Sequence, residues 1–356
     1  MRWLLLVAMA ACQTPYHPPC TVGASLTLSS AFVQQLRWSG TQVRGIWYDD
    51  NGVNGGEWDD SGTQVTSLHA VRPRSSGTLS AGPGASGSLS LVDELDLFTG
   101  TALVAISPVQ TATVVGHSEL TLTALAPEGT PRVLFSCDAC RYTASAQVVG
   151  SHILVMVNSE DAPRLIVVTA QGEIERSFTT AFSPGAQTAS ARSDALTVND
   201  THGFWLLNEA GDTIAGPLPR NGDVIDWDLR RGLAAIGSTR TPLGAAEVYL
   251  ARSDFSGAGP VRHLSAGELI ATTLGEELSA ALFVDTGLYF AAMRADGHKL
   301  GGDVALLPAS VRDAPATSRF TTQALVREVA SHDFLTVVAR PNGTQQQHVV
   351  CTPGAP

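Results

Sequence analysis

Short apolar runs, each closed off by glycine, proline or small polar residues, recur along most of this chain. Six of them are "HILVMVN" from residue 152, "RLIVVTA" from 164, "GFWLLNE" from 203, "EVYLARS" from 247, "GLYFAAM" from 287 and "FLTVVAR" from 334. They are rich in Val, Ile, Leu and aromatic residues and bounded by turn formers, which predicts β-strands. No stretch of 12 or more residues keeps apolar positions at helical spacing without a break by Gly, Pro or a β-branched run, so the folded body is expected to be all-β.

The strands repeat in pairs. "TALAPEGTPRVLF", "VVTAQGEIERSF", "LLNEAGDTIAGPL", "LARSDFSGAGPVRHL", "AAMRADGHKLGGDVALL" and "VVARPNGTQQQHVV" all read as strand, short glycine-bearing turn, strand. Their turn glycines, Gly129, Gly172, Gly211, Gly257, Gly297 and Gly343, are spaced by 43, 39, 46, 40 and 46 residues. That period matches one four-stranded propeller blade, with each hairpin as the outer pair of strands. Residues 27–75, holding "GIWYDDNGVNGGEWDD" as an enlarged hairpin, make a further blade. The expected fold is thus a β-propeller of seven four-stranded blades, with six or eight as the alternatives. Pairing of the N- and C-terminal strands would close it, because an open ring leaves sheet edges to aggregate. The Gly/Ser-rich stretch 72–90 reads as a long connection between the first two blades.

Some blades add an upstream signature. "RWSGTQVRGIWYDD" from 37 and "DWDLRRGLAAIGS" from 226 share a Trp, a turn and an apolar strand, and "EVYLARSDFSG" and "LYFAAMRADG" end on an aromatic strand with an acidic or small turn. Together they resemble the WD40-like, TolB-type propeller repeat. The likeness is clear over 203–307, partial over 37–60 and periodic elsewhere. Asp228-Leu229-Arg230-Arg231 lacks that family's Asp-Gly turn, and Gly275-Glu276-Glu277 replaces its Trp. The resemblance implies the fold and no particular activity.

The N-terminus reads as an address. Trp3 to Ala11 is an apolar run of nine residues, against about 20 needed to span a bilayer. Arg2 precedes it and the small residues Ala10 and Ala11 end it, the layout of a secretory signal. Met9-Ala10-Ala11-Cys12 resembles the bacterial lipoprotein signal, which implies cleavage before Cys12 and lipidation of its thiol. An ordinary signal peptide cut near Ala11 is the alternative. Gln13 stands where an inner-membrane retention Asp would, which favours an outer-membrane destination. The expected organisation is a signal peptide over 1–11, a tether over 12–24 and the propeller over 25–353.

Charge and cysteines refine this picture. The net charge is −11, and 22 basic residues without a cluster argue against a nucleic-acid partner. Of five cysteines, four remain once Cys12 is acylated, an even number suited to disulfides in an oxidising compartment. Cys137-Asp138-Ala139-Cys140 lacks the βαβ surroundings of a redox motif and two further ligands for zinc, so a turn disulfide between Cys137 and Cys140 is expected, leaving Cys20 for Cys351. A bond from Cys20 or Cys351 to the Cys137/Cys140 turn is the competing pairing.

Candidate chemistry is sparse. Asp49, Asp50, Asn51, Asn54, Glu57, Asp59 and Asp60 form the densest set of oxygen ligands, and Ca²⁺ takes 6–8 of them. Gly52 falls where an EF-type loop needs its third-position ligand, so a solvated hairpin tip competes with a calcium site. No Gly-x-Ser-x-Gly, His-Glu-x-x-His or phosphate-binding loop occurs; "GHSEL" around Ser118 lacks the second glycine. Asp93, Glu94 and Asp96, and Asp226 with Asp228, would stand near the central channel of such a fold, with strand-end acids that bond turn amides as the commoner alternative. The reading that follows is a monomeric, lipid-anchored binding or scaffolding module at the cell envelope, with a protein or polysaccharide partner and no catalytic residue or cofactor beyond the calcium candidate. The alternative is a carbohydrate-active hydrolase or lyase with carboxylates lining the channel.

Overall fold

A computed structural model describes residues 20–71, 94–110, 117–125, 129–140, 142–191, 195–218, 223–228, 233–238, 245–252, 262–266, 268–273, 277–284, 287–294, 300, 304–306 and 323–352, with the backbone alone between 218 and 269. Among these residues there is no helix, and every sheet is antiparallel. Strands Gln34–Ser39, Gln42–Asp49, Gly52–Trp58 and Gln64–Val71 form one four-stranded sheet in chain order. Five more sheets repeat that order over 95–138, 143–179, 187–218, 223–266 and 268–305. The last sheet is composite. Its strands Gln323–Ala330, Asp333–Arg340 and Gly343–Cys351 are followed by the N-terminal Cys20–Val22 and Leu26–Ser29, both paired to Gly343–Cys351.

The first strand of one sheet lies against the first strand of the next. Contacts run from Leu95–Phe98 to Thr143–Val149, on through Gln187–Ala191, Asp223–Asp228, Glu268–Thr273 and Gln323–Ala330, and back to Gln34–Ser39. Strands Gln42–Asp49 and Gly52–Trp58 meet Leu95–Phe98 in turn. The arrangement is that of an all-β propeller, with first strands innermost.

Packing explains why a strand such as His152–Asn158 is apolar throughout instead of alternating. Side chains on a strand point to opposite faces by turns, and here each face meets a different neighbouring sheet. Ile153, Val155 and Val157 pack with Leu97, Ile106 and Leu120 of the 95–138 sheet. Leu154 and Met156 pack with Leu196, Val198 and Leu207 of the 187–218 sheet. Burying one such side chain contributes about 1.5–3 kcal/mol. The outer strand Ile174–Thr179, with one face in water, is polar and almost wholly exposed.

Two expectations are corrected. "GIWYDDNGVNGGEW" is not an enlarged hairpin tip but two full-length interior strands joined at Asp50 and Asn51, paired from Val43↔Trp58 to Asp49↔Gly52. Its glycines serve close packing: a Cβ on Gly55 would lie 2.6 Å from the Phe98 ring. Gly343 joins the second and third strands of its sheet rather than the third and fourth, because the N-terminus supplies the outer strand. The turn equivalent to Gly172 and Gly211 in the 34–71 sheet is Gly62. In all three the carbonyl of the residue three before glycine accepts the glycine N–H, as Asp59, Thr169 and Asn208 do, and the glycine φ is 78°, 80° and 81° in turn. Gly257, Gly297 and the connection 72–90 lie outside the described residues, as do Cys12 and the rest of 1–19.

Candidate functional site

A row of three charged side chains crosses the 34–71 sheet on the face turned to the 95–138 sheet. Arg37 on the innermost strand stands opposite Arg44, and Arg44 stands opposite Glu57. All three are buried, at 9%, 9% and 7% exposure. Arg44 is fully engaged: its Nε donates to Glu57 Oε1 at 2.5 Å, its Nη2 pairs with the same oxygen, and its Nη1 donates to Thr99 O at 2.5 Å and Gly150 O at 3.4 Å. The guanidinium also lies 5.7 Å from the Phe98 ring centroid. Gly100, at φ +100°, leaves the room that this side chain occupies.

Arg37 is different. Its Nη2 donates to Phe98 O, and among the described residues that carbonyl is its only acceptor. Burial, then the neighbouring Arg44 charge, pull its pKa well below the usual arginine value, while Glu57 pulls the other way. Beside it Gln35 Nε2 donates to Asp96 O at 2.5 Å, and Tyr48 Oη donates to Asp96 Oδ2 at 3.0 Å. Neither arginine stands out in the sequence by motif. The available signal was a charge at 37 and at 44, flanking the Gly40 turn.

The proposed calcium ligands are not brought together. Asp49 caps its own turn, accepting from Asn51 N at 2.7 Å, Gly52 N at 3.0 Å and Asn54 Nδ2 at 2.8 Å. Its pKa is lowered by the Asn54 bond first and the Asn51 bond next. Glu57 lies on strand Gly52–Trp58 on the face opposite to Asn54, because the pleat has a period of two, and its charge goes to Arg44. Asp59 caps the following turn, and Asp60 pairs with Arg327 at 2.5 Å. Among the described residues no group of three or more His, Cys, Asp or Glu side chains is placed to hold a metal ion.

Of the channel acids, Asp93 lies outside the described residues, Glu94 accepts from Ser107 Oγ at 3.0 Å, and Asp96 is bonded to Tyr48. Asp226 and Asp228 stand on the innermost strand of the 223–266 sheet, described there by backbone alone. Ser183, His202 and Asp200 meet without forming a catalytic relay. Ser183 Oγ lies 2.5 Å and Asp200 Oδ2 3.6 Å from the same ring nitrogen, His202 Nδ1, whereas a relay uses the two nitrogens separately. Asp200 instead caps a turn. Burial pushes its pKa up, but N–H donation from Ser183, His202 and Gly203 outweighs that and leaves it below the usual carboxylate value.

Ser118 lies on strand His117–Ala124 in register with Cys137. The Cys137–Cys140 disulfide is formed at the end of strand Arg132–Asp138, and Cys20–Cys351 joins two residues directly opposite in register. Across from the first of these, His117 bonds Glu119 through Nε2 at 2.9 Å and Asp138 through Nδ1 at 2.5 Å. The Glu119 bond, then the Asp138 bond, raise its pKa. A group raised on folding adds stability that is full below its unfolded pKa, about 6.5, and is lost as pH rises through the folded value. In an NMR titration His117 is expected to lose its proton above pH 6.5, and His117→Asn to cost stability at pH 6 but not at pH 9. A midpoint at or below 6.5 contradicts the clamp.

No protein-family model matches the chain, and no curated protein matches it. Among solved structures it is similar to Raptor from Chaetomium thermophilum, with a TM-score of 0.46 and 9% identity over 90% of this chain. It spans 28% of that protein's length. Nothing about this chain's ligand follows from that likeness.

Proposed function

We propose that this protein is an exported propeller of seven blades, anchored to the outer membrane by lipid on Cys12, that binds or scaffolds a protein or polysaccharide at the cell envelope as a monomer. The observation that carries the reading is the pair of disulfides, Cys20–Cys351 and Cys137–Cys140, since such bonds persist in oxidising compartments and are rare in the cytosol. Export is what the short apolar run before Cys12 would provide. The reading takes each sheet of the described residues, linked to the next through its first strand, as one blade. Cys12 precedes the clasp cysteine Cys20 by eight residues, so two or three acyl chains there would hold the folded body close to the bilayer.

Fractionation tests this. Wild type is expected in the membrane fraction with an acylated mature mass, and Cys12→Ala in the soluble periplasmic fraction with its thermal unfolding unchanged. A soluble wild type whose mature mass carries no acyl group refutes the anchor.

A further inference from the structure

We propose that Arg37 is the centre of an anion-binding site at the inner edge of the blade interface, and that its ligand is a small carboxylate. The row Arg37, Arg44 and Glu57 holds two guanidinium groups and one carboxylate. Glu57 is committed to Arg44, which spends its remaining donors on Thr99 O and Gly150 O. Arg37 offers five N–H donors and gives one to a neutral carbonyl, that of Phe98. Asp96, on the strand of Phe98, accepts from Tyr48 and has a further interaction of its own, while the acceptor of Arg37 is the Phe98 carbonyl.

Among the described residues the row Arg37, Arg44 and Glu57 therefore carries one surplus positive charge at nine-tenths burial. An arginine does not escape this by losing its proton. Like charges placed directly opposite on neighbouring strands repel, and an unpaired buried charge is among the costliest features a fold can contain. A monovalent anion removes the imbalance. A carboxylate matches the surplus of one, and its planar pair of oxygens suits the forked donors of a guanidinium. Arg37 belongs to the innermost strand, so a small ligand would reach it from the propeller axis. The inference goes beyond the envelope reading and does not depend on the anchor.

The test is thermal unfolding of the disulfide-intact chain in rising sodium formate, with Arg37→Met measured in the same solutions to subtract the general effect of salt. The wild-type midpoint is expected to rise and saturate, about 2–4 °C above the variant's trend at a hundredfold excess over Kd, while Arg37→Met shows no saturable rise. Without formate the variant should be at least as stable as wild type. Arg37→Lys, which keeps the charge and loses the fork, should need at least about tenfold more formate for half its effect. Parallel curves for wild type and Arg37→Met overturn the proposal and assign the charge balance to Asp96. An unfolded Arg37→Met variant overturns it as well, because the proposal makes the unliganded charge a burden on the fold.

Discussion

Replacing Cys20 and Cys351 together by serine is expected to produce a large loss of stability. The bond spans 331 residues. In the chain-entropy model a closed loop of that length contributes about 5–6 kcal/mol, an upper figure because residual structure in the unfolded chain reduces it. The native side of the balance is thin. The N-terminal strand holds its sheet through the three register pairs Cys20↔Cys351, Thr21↔Val350 and Val22↔Val349 and the short Leu26–Ser29 pairing. Both cysteines are buried in the cluster that also contains Phe290, Phe334 and Val349. In urea, the midpoint of Cys20→Ser/Cys351→Ser should fall by at least about 1 M, with m of about 3 kcal/mol per M or more for a chain of this size. Peptide mapping of the wild type without reductant should recover a peptide with Cys20 joined to one with Cys351. A midpoint unchanged by the double substitution would show that the strand is held without the bond.

Glu57→Gln should be the most damaging single substitution at the blade interface. It removes the carboxylate bonded to the buried Arg44 guanidinium and leaves Arg37 and Arg44 facing each other. Breaking a buried pair on one side costs about 3–5 kcal/mol, whereas replacing the whole pair by apolar residues of similar size is near neutral. The double variant Arg44→Met/Glu57→Leu should therefore be more stable than Glu57→Gln alone. Urea unfolding of the three proteins decides it, and a Glu57→Gln loss under about 1 kcal/mol would mean that water or another acid already screens the arginines.

These two predictions differ in how far the sequence announced them. The clasp was legible in outline. Counting cysteines and requiring a propeller to join its ends paired Cys20 with Cys351, and the bond is formed between those two residues. The competing bond to the Cys137/Cys140 turn was removed only by the sheet register. The charged row was not legible. Arg37, Arg44 and Glu57 are separated by 7 and 13 residues, and nothing in that spacing says that three strands lie side by side in one register. Reading Glu57 as an oxygen ligand alongside Asp49 and Asn54 followed closeness along the chain, and the pleat then placed it on the other face. Gly62 was missed for a related reason. With "GVNGGEW" taken into an enlarged hairpin and its tip, the turn "DDSGT" after it could not be aligned with "TAQGE" and "NEAGD", although all three carry glycine at the same place.

By itself the sequence determined what depends on neighbours along the chain: the all-β class, the period of the blades, the glycine turns and the apolar strands, since backbone preference and side-chain alternation act over a few residues. Only the tertiary structure decided which face of Gly52–Trp58 meets which blade, that the N-terminus completes the last sheet, and that Arg37 is buried with no carboxylate of its own among the described residues. Those outcomes depend on strand pairing between distant segments, where a shift of one residue exchanges every inward side chain for an outward one.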